Sequence, residues 1–177
     1  DSITGSDGND IIIITSAGDG NNDTLIGGSG DDVINLSAGS HTFSDNAKLA
    51  TIETINANAS ATTLDLTGQL EGFTIAGGAQ GDNLTGGSGN DIITGGGGDD
   101  TLKGGAGNDT LNVDSGSDII TLLGGAGAGG EEDVLVVSNG ATATAANIIN
   151  FVATTGTTNA GTAILSVKSN NGIINMS

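Results

Sequence analysis

Between Gly86 and Asn112 the chain reads GGSGNDIIT, GGGGDDTLK, GGAGNDTLN, three lines of nine residues. Each line has Gly at places one, two and four, Asp at place six, and Ile or Leu at place eight. A fixed period of this kind means that each unit is one small coil, stacked on its neighbours to make a continuous core. The frame runs on in both directions. Gly77–Thr85 (GGAQGDNLT) departs from it at place four, and Val113–Thr121 (VDSGSDIIT) keeps only Gly116, Asp118 and Ile120, so five units follow without a gap. A second block opens the chain: DSIT reads as the tail of a unit, Gly5–Ile13 is nearly full, Ile14–Ile26 is a stretched unit ending on Asp23-Thr24-Leu25-Ile26, and Gly27–Asn35 is perfect. A last stretched unit is Gly124–Val136, with Asp133 and Leu135 in places six and eight.

Physical chemistry gives this pattern a purpose. Glycine reaches φ > 0 and so permits a tight turn whose carbonyls face one point. A hard cation such as calcium takes six to eight oxygens, from carboxylates and carbonyls alike. One Asp with several glycine carbonyls is half a cage, and two stacked turns complete it. Places seven to nine form a short strand, with the aliphatic residue at eight turned inward. Composition agrees. There are 33 Gly, no Pro, no Cys, three Phe and neither Trp nor Tyr among 177 residues, which suits a thin, repetitive architecture better than a spherical core. The 21 acidic residues against three basic ones give a net charge of −18, which makes nucleic acid and anionic membrane poor partners and cations natural ones. The acids are phased rather than scattered, which a merely solvated surface would not require. No apolar run approaches the ~20 residues of a membrane span. No signal peptide opens the chain, and a start at Asp1 without Met reads as an excised piece of a longer protein.

The nonapeptide matches GGxGxDxUx, and the chain resembles the RTX proteins, whose calcium-binding repeats occur in secreted bacterial toxins, proteases, lipases and surface-layer proteins. The resemblance covers Asp1–Asn35 and Gly77–Thr121 well and Gly124–Val136 loosely. It implies an all-β fold, a right-handed parallel β-roll or β-helix (a solenoid), with two nonapeptides to the turn and several calcium ions in the Gly/Asp-rich turns. Carried over residue by residue, Asp82, Asp100 and Asp118 line one edge, and Asp91, Asp109 and Asp133 the other. In the N-terminal block Asp1 faces Asp23 and Asp10 faces Asp32. The carbonyl ligands implied are those of places one to four: Gly27, Gly28 and Gly30; Gly77 and Gly78; Gly86, Gly87, Ser88 and Gly89; Gly95, Gly96, Gly97 and Gly98; Gly104, Gly105, Ala106 and Gly107; and Gly116. Gln80, Val113 and Asp114 depart from the glycine pattern and predict weaker cages.

Residues 36–76 contain no GGxGxD. Thr51–Asn56, Thr63–Thr67 and Gly72–Ala76 read as strands, so this interlude is expected to form calcium-free coils of the same solenoid, with a surface excursion as the alternative. The chain thus divides into a repeat block at 1–35, the interlude at 36–76, a second block at 77–137 and a C-terminal region at 138–177. That last region is expected to cap the open end of the solenoid and, from the resemblance, to carry a secretion signal for a one-step exporter. Its strand candidates are Ala163–Val167 and Gly172–Met176; Asn147–Val152 reads as a short helix or a strand.

Other motifs lead nowhere. Gly125–Gly130 satisfies GxGxxG, but a strand-like EEDVLVV follows where a dinucleotide site needs a helix. Asp19–Asp23 begins like an EF-hand loop yet has Thr24 and Gly30 where Gly and Glu belong. His41, the only histidine, is expected at the surface. There is no HExxH, no GxSxG and no cysteine nucleophile. In pairs such as Asp31/Asp32 and Asp99/Asp100 the second acid takes the calcium place and the first faces solvent.

The reading is therefore non-enzymatic: a calcium-binding structural module of a secreted bacterial surface protein, a surface-layer protein or adhesin, that folds and assembles on calcium outside the cell. Its partners are calcium, further copies of itself and cell-surface polysaccharide. The alternative is the secretion and folding module of an exported protease, lipase or polysaccharide epimerase.

Overall fold

A computed structural model describes residues 2–18, 23–57, 60–121, 133–146 and 158–166. Among these, every regular element is a strand and every pairing between strands is parallel. No helix among them is long and apolar enough to cross a membrane. The strands form an eight-stranded sheet, a seven-stranded sheet and a short three-stranded sheet. The first stacks Ile11–Ile14, Val33–Leu36, Thr54–Asn56, Thr74–Ala76, Ile92–Thr94, Thr110–Val113, Val134–Val137 and Thr158–Asn159. The second stacks Gly39–Thr42, Thr62–Asp65, Asn83–Thr85, Thr101–Lys103, Ser117–Thr121, Thr142–Ala146 and Thr162–Ser166. The third holds Ser2–Thr4, Thr24–Ile26 and Leu49–Ala50.

Strands that neighbour in sequence fall in different sheets, and each pairs with a strand one coil away. In the second repeat block Asn83 lies against Thr101 and Thr101 against Ile119, an offset of 18 residues, so two nonapeptides make one coil. This is the parallel β-solenoid expected from the repeat.

Register is fixed by place eight. Ile34, Ile55, Ile75, Ile93, Leu111 and Leu135 align in the first sheet, and Leu64, Leu84, Leu102 and Ile120 in the second. All are buried, and both columns belong to one hydrophobic cluster. Because side chains alternate along a strand, a one-residue slip would turn this whole column outward and face place seven inward. Place seven holds exposed residues such as Ile92 and Ile119, and a run of polar ones.

The interlude supplies strands to all three sheets. Thr54–Asn56 and Thr74–Ala76 lie within the expected stretches 51–56 and 72–76, and Thr62–Asp65 overlaps 63–67. Gly39–Thr42 and Leu49–Ala50 were not foreseen, nor was Thr142–Ala146. Thr162–Ser166 is displaced by one residue from the expected 163–167. The candidates at 147–152 and 172–176, and the GxGxxG stretch, lie outside the described residues.

His41 requires a correction: it is fully buried, not superficial. It pairs in register with Leu64, which puts it at place eight. The frame turns its ring inward whatever its polarity, and its Nε2 donates to the Ser37 carbonyl at 3.0 Å.

Candidate metal centre

The coil bends between place six and the strand, and there the aspartates form two columns. In the second sheet the Asp82 N–H donates to Asp100 Oδ1 at 2.8 Å and the Asp100 N–H to Asp118 Oδ1 at 2.8 Å. In the first sheet the Phe73, Asp91 and Asp109 N–H groups donate to Oδ1 of Asp91, Asp109 and Asp133 at 2.8, 2.9 and 2.9 Å. The N-terminal block continues the first-sheet column. The Asp10 N–H donates to Asp32 Oδ1 at 2.7 Å, and the Asp32 N–H to Glu53 Oε2 at 2.7 Å. Asp32, Asp82, Asp91, Asp100, Asp109, Asp118 and Asp133 are all buried, whereas Asp10 and Asp23 are half-buried. Asp23 leads into Thr24–Ile26 of the short sheet; Asp1, its expected partner, lies outside the described residues.

Glycine at place one makes room for the second carboxylate oxygen. A Cβ on Gly95 would collide with Asp100 Oδ2, and one on Gly104 with Asp109 Oδ2. On Gly86 it would meet both Asp91 Oδ2 and the Gly104 carbonyl; on Gly77, Asp82 Oδ2 and the Gly95 carbonyl; on Gly27, Asp32 Oδ2 and the Thr51 carbonyl. Each hollow beside a place-one α-carbon is therefore lined by a carboxylate and, in these three, by a carbonyl of the neighbouring coil. Places two and four turn the chain: Gly96 and Gly98 have φ of 92° and 97°, angles that disfavour a side chain. Gly28, Gly30, Gly105, Gly107 and Gly116 share this region, whereas Gly87 and Gly89 do not. The turns also stack by backbone bonds, Gly97 N–H to the Gly78 carbonyl at 2.8 Å, Ala106 to Gly87 at 3.1 Å and Ser88 to Gln69 at 2.9 Å.

The second oxygens divide into two groups. Oδ2 of Asp10, Asp82 and Asp91 accepts the place-two N–H of its own unit, from Ser6, Gly78 and Gly87 at 2.7, 2.8 and 2.8 Å. Oδ2 of Asp32, Asp100 and Asp118 is buried with no hydrogen-bond donor. A buried carboxylate oxygen without a partner is costly, and a bound cation removes that cost. Burial pushes the Asp100 carboxyl up from its ordinary 3.8 to about 6, despite the Asp82 N–H bond that opposes it; Asp118, Asp82 and Asp99 add repulsion. Burial also raises Asp91 and Asp118. Among the described residues no three acidic or histidine side chains converge on one point. A cation here must therefore draw most of its oxygens from backbone carbonyls and water, as the glycine turns allow.

Sequence reasoning missed two features. Glu53 takes the place of an aspartate in the first-sheet column. The signal was present, since Glu53 stands two residues before the inward Ile55, as every place-six acid stands before place eight. Place five also forms ladders: Oδ1 of Asn9, Asn90 and Asp99 accepts the N–H of Asp31, Asn108 and Ser117 at 3.0, 2.8 and 2.9 Å. Asp31 and Asp99 are exposed, as expected for the first acid of each pair.

A family model described as the RTX calcium-binding nonapeptide repeat (4 copies) matches residues 1–13, 15–40, 74–102, 85–120 and 94–131, more than half of the chain. The chain belongs to this RTX family. Its ion is calcium, and it is a calcium-binding module of the kind found in secreted proteins. Comparison with curated proteins and with solved structures returns no match. The unpartnered oxygens and the glycine hollows fit the hard, oxygen-seeking ion of the RTX repeat.

A proton and a bound cation would compete for a buried carboxylate of this kind. Asp100 has a folded pKa near 6, above its unfolded value of 3.8, so protonation favours the fold. In chelator, the contribution of Asp100 is fully present below 3.8 and is lost as pH rises through about 6. Chelated protein should therefore show more strand signal in circular dichroism near the lower end of that window than at neutral pH. A cation held by this carboxylate would reverse the trend, because it requires the ionised form. A chelated sample whose strand content does not change across the window would contradict this assignment.

Proposed function

We propose that the buried place-six carboxylates, with the carbonyls of the glycine turns, hold the calcium ions. The unpartnered Oδ2 atoms of Asp100 and Asp118 carry this reading. Asp82, Asp100 and Asp118 serve one edge, and Asp10, Asp32, Asp91, Asp109 and Asp133 the other, with carbonyls from Gly27, Gly77, Gly86, Gly95, Gly104 and their turn neighbours. A bound ion neutralises the carboxylates and ties each coil to the next. Asp100 has a nonapeptide coil on both sides, whereas Asp118 lies in register with Ala143, which brings no acid. Asp100→Ala should therefore raise the calcium midpoint of folding by tenfold or more, about 1.4 kcal/mol, and Asp118→Ala by less. Equal midpoints in calcium titrations of the two variants would count against stacked cages.

The finer reading is a scaffold in a bacterial surface-layer protein or adhesin, exported unfolded and assembled outside the cell. In it, residues 1–35 and 77–137 are calcium blocks, 36–76 a spacer continuing the same sheets, and 138–177 a cap. The support is the regular solenoid broken by a non-motif interlude, together with a net charge of −18 that calcium would offset. Magnesium should not replace calcium, since it demands near-octahedral geometry and holds its water. The full-length protein should associate with itself, as followed by light scattering, in millimolar calcium and not in equal magnesium. A protein that folds in calcium yet stays monomeric and leaves cells unbound would point instead to an appendage of an exported enzyme.

A further inference from the structure

The interlude contributes four place-six positions to the two long sheets. By register they are Gly39 and Thr62 in one and Glu53 and Phe73 in the other. Glu53 is the only acid among them, and its coil stacks on that of Asp32. Asp32 is 1 % exposed and its Oδ2 has no donor. The reason is local. In the units of Asp10, Asp82 and Asp91 the place-two N–H bonds the Oδ2 of its own aspartate. In the Asp32 unit the corresponding Gly28 N–H is drawn away to Thr51 Oγ1 at 2.9 Å. Thr51 is the only non-glycine residue with positive φ among the described residues, at 50°. Its carbonyl lies in the hollow beside the Gly27 α-carbon into which Asp32 Oδ2 points, as the Gly95 and Gly104 carbonyls do beside Gly77 and Gly86. Two oxygens therefore face one space, and Glu53, an exposed residue, accepts the Asp32 N–H on Oε2.

We propose that Asp32, the Thr51 carbonyl and Glu53 form one divalent-cation site at the junction of the first repeat block and the interlude, in which only Asp32 belongs to a nonapeptide. Glutamate here does the work of aspartate: one oxygen keeps the bond between coils and the other completes the ion's shell with water. The donors are all hard oxygens, which select calcium over softer metals. The site carries the ion column one coil into the stretch whose sequence shows no GGxGxD. The column stops at the next coil, where Phe73 occupies place six. The inference rests on the calcium-binding reading of Asp32 given above.

The test is calcium stoichiometry by equilibrium dialysis on the whole chain. Glu53→Gln keeps an acceptor for the Asp32 N–H and loses the charge. Glu71→Gln removes an exposed acid elsewhere in the interlude as a control. Glu53→Gln should bind one calcium fewer than wild type, and Glu71→Gln the same number as wild type. Equal stoichiometry in all three chains would overturn the inference alone; a wild type that binds no calcium would overturn the calcium assignment with it. Should Glu53→Gln fail to fold, a second chain decides. Replacing Glu71, Glu131 and Glu132 by Gln leaves Glu53 as the sole glutamate. With ¹³C at that carboxylate, infrared spectra should show its asymmetric stretch displaced by calcium to the position of a coordinated carboxylate. A band that stays at the free position in saturating calcium would overturn the proposal.

Discussion

Gly95→Val is expected to abolish calcium-driven folding of the second repeat block at calcium levels that fold the wild type, whereas Gly97→Ala leaves it nearly unchanged. The two glycines stand two residues apart in one turn and differ in what a side chain would meet. A Cβ at Gly95 would collide with Asp100 Oδ2 and lie 3.0 Å from its Cγ, so the carboxylate would be driven from the hollow proposed to hold the ion. A Cβ at Gly97 has Ala79 and Ser115 atoms at 3.4 and 3.5 Å, ordinary van der Waals contact. Place three of the following unit already carries Ala106. Because each coil contacts mainly its neighbours, losing one cage should uncouple the coils on either side, an effect larger than the few kcal/mol of a usual core truncation. The check is a calcium titration of both variants by circular dichroism. Gly97→Ala should overlay the wild type within about twofold, near 0.4 kcal/mol. A Gly95→Val chain that also overlays the wild type would show that the place-one hollow is not where the ion sits.

The repeat blocks were legible because one period encodes both core and site. Place eight fixes register, register stacks place six, and the spacing that buries Leu102 also buries Asp100. The two edges of aspartates follow from that arithmetic. What escaped notice did so for a physical reason each time. His41 is polar by type, but the frame of Gly39–Thr42 places it at an inward position. Thr142–Ala146 buries Ala143 and Ala145, whose small side chains give no hydrophobic alternation to read. Glu53 was passed over because its turn, from Thr51 to Glu53, has only three residues where the nonapeptide uses six, so no glycines announce it. The diversion of the Gly28 N–H to Thr51 depends on a backbone angle that no residue pattern specifies.

Calcium should be the switch for the whole fold, and this is the account's central claim. Without it, the carboxylates of Asp82, Asp100 and Asp118 stack in one column and repel, and 33 glycines must be ordered, each losing more conformational entropy than any other residue. The hydrophobic core is thin, two facing columns of mostly aliphatic side chains, and has little to set against that. At ten times its Kd each ion contributes about 1.4 kcal/mol, and several ions bound together make the transition steep. Affinities of about 10⁻⁴–10⁻³ M, usual for extracellular modules, would keep the chain unfolded in the cytosol and folded outside. The measurement is far-ultraviolet circular dichroism of the chain at neutral pH in millimolar calcium, in equal magnesium and in excess EDTA. A strand spectrum is expected in calcium alone, reached through a steep, cooperative titration. The same strand spectrum in excess EDTA at neutral pH would contradict it.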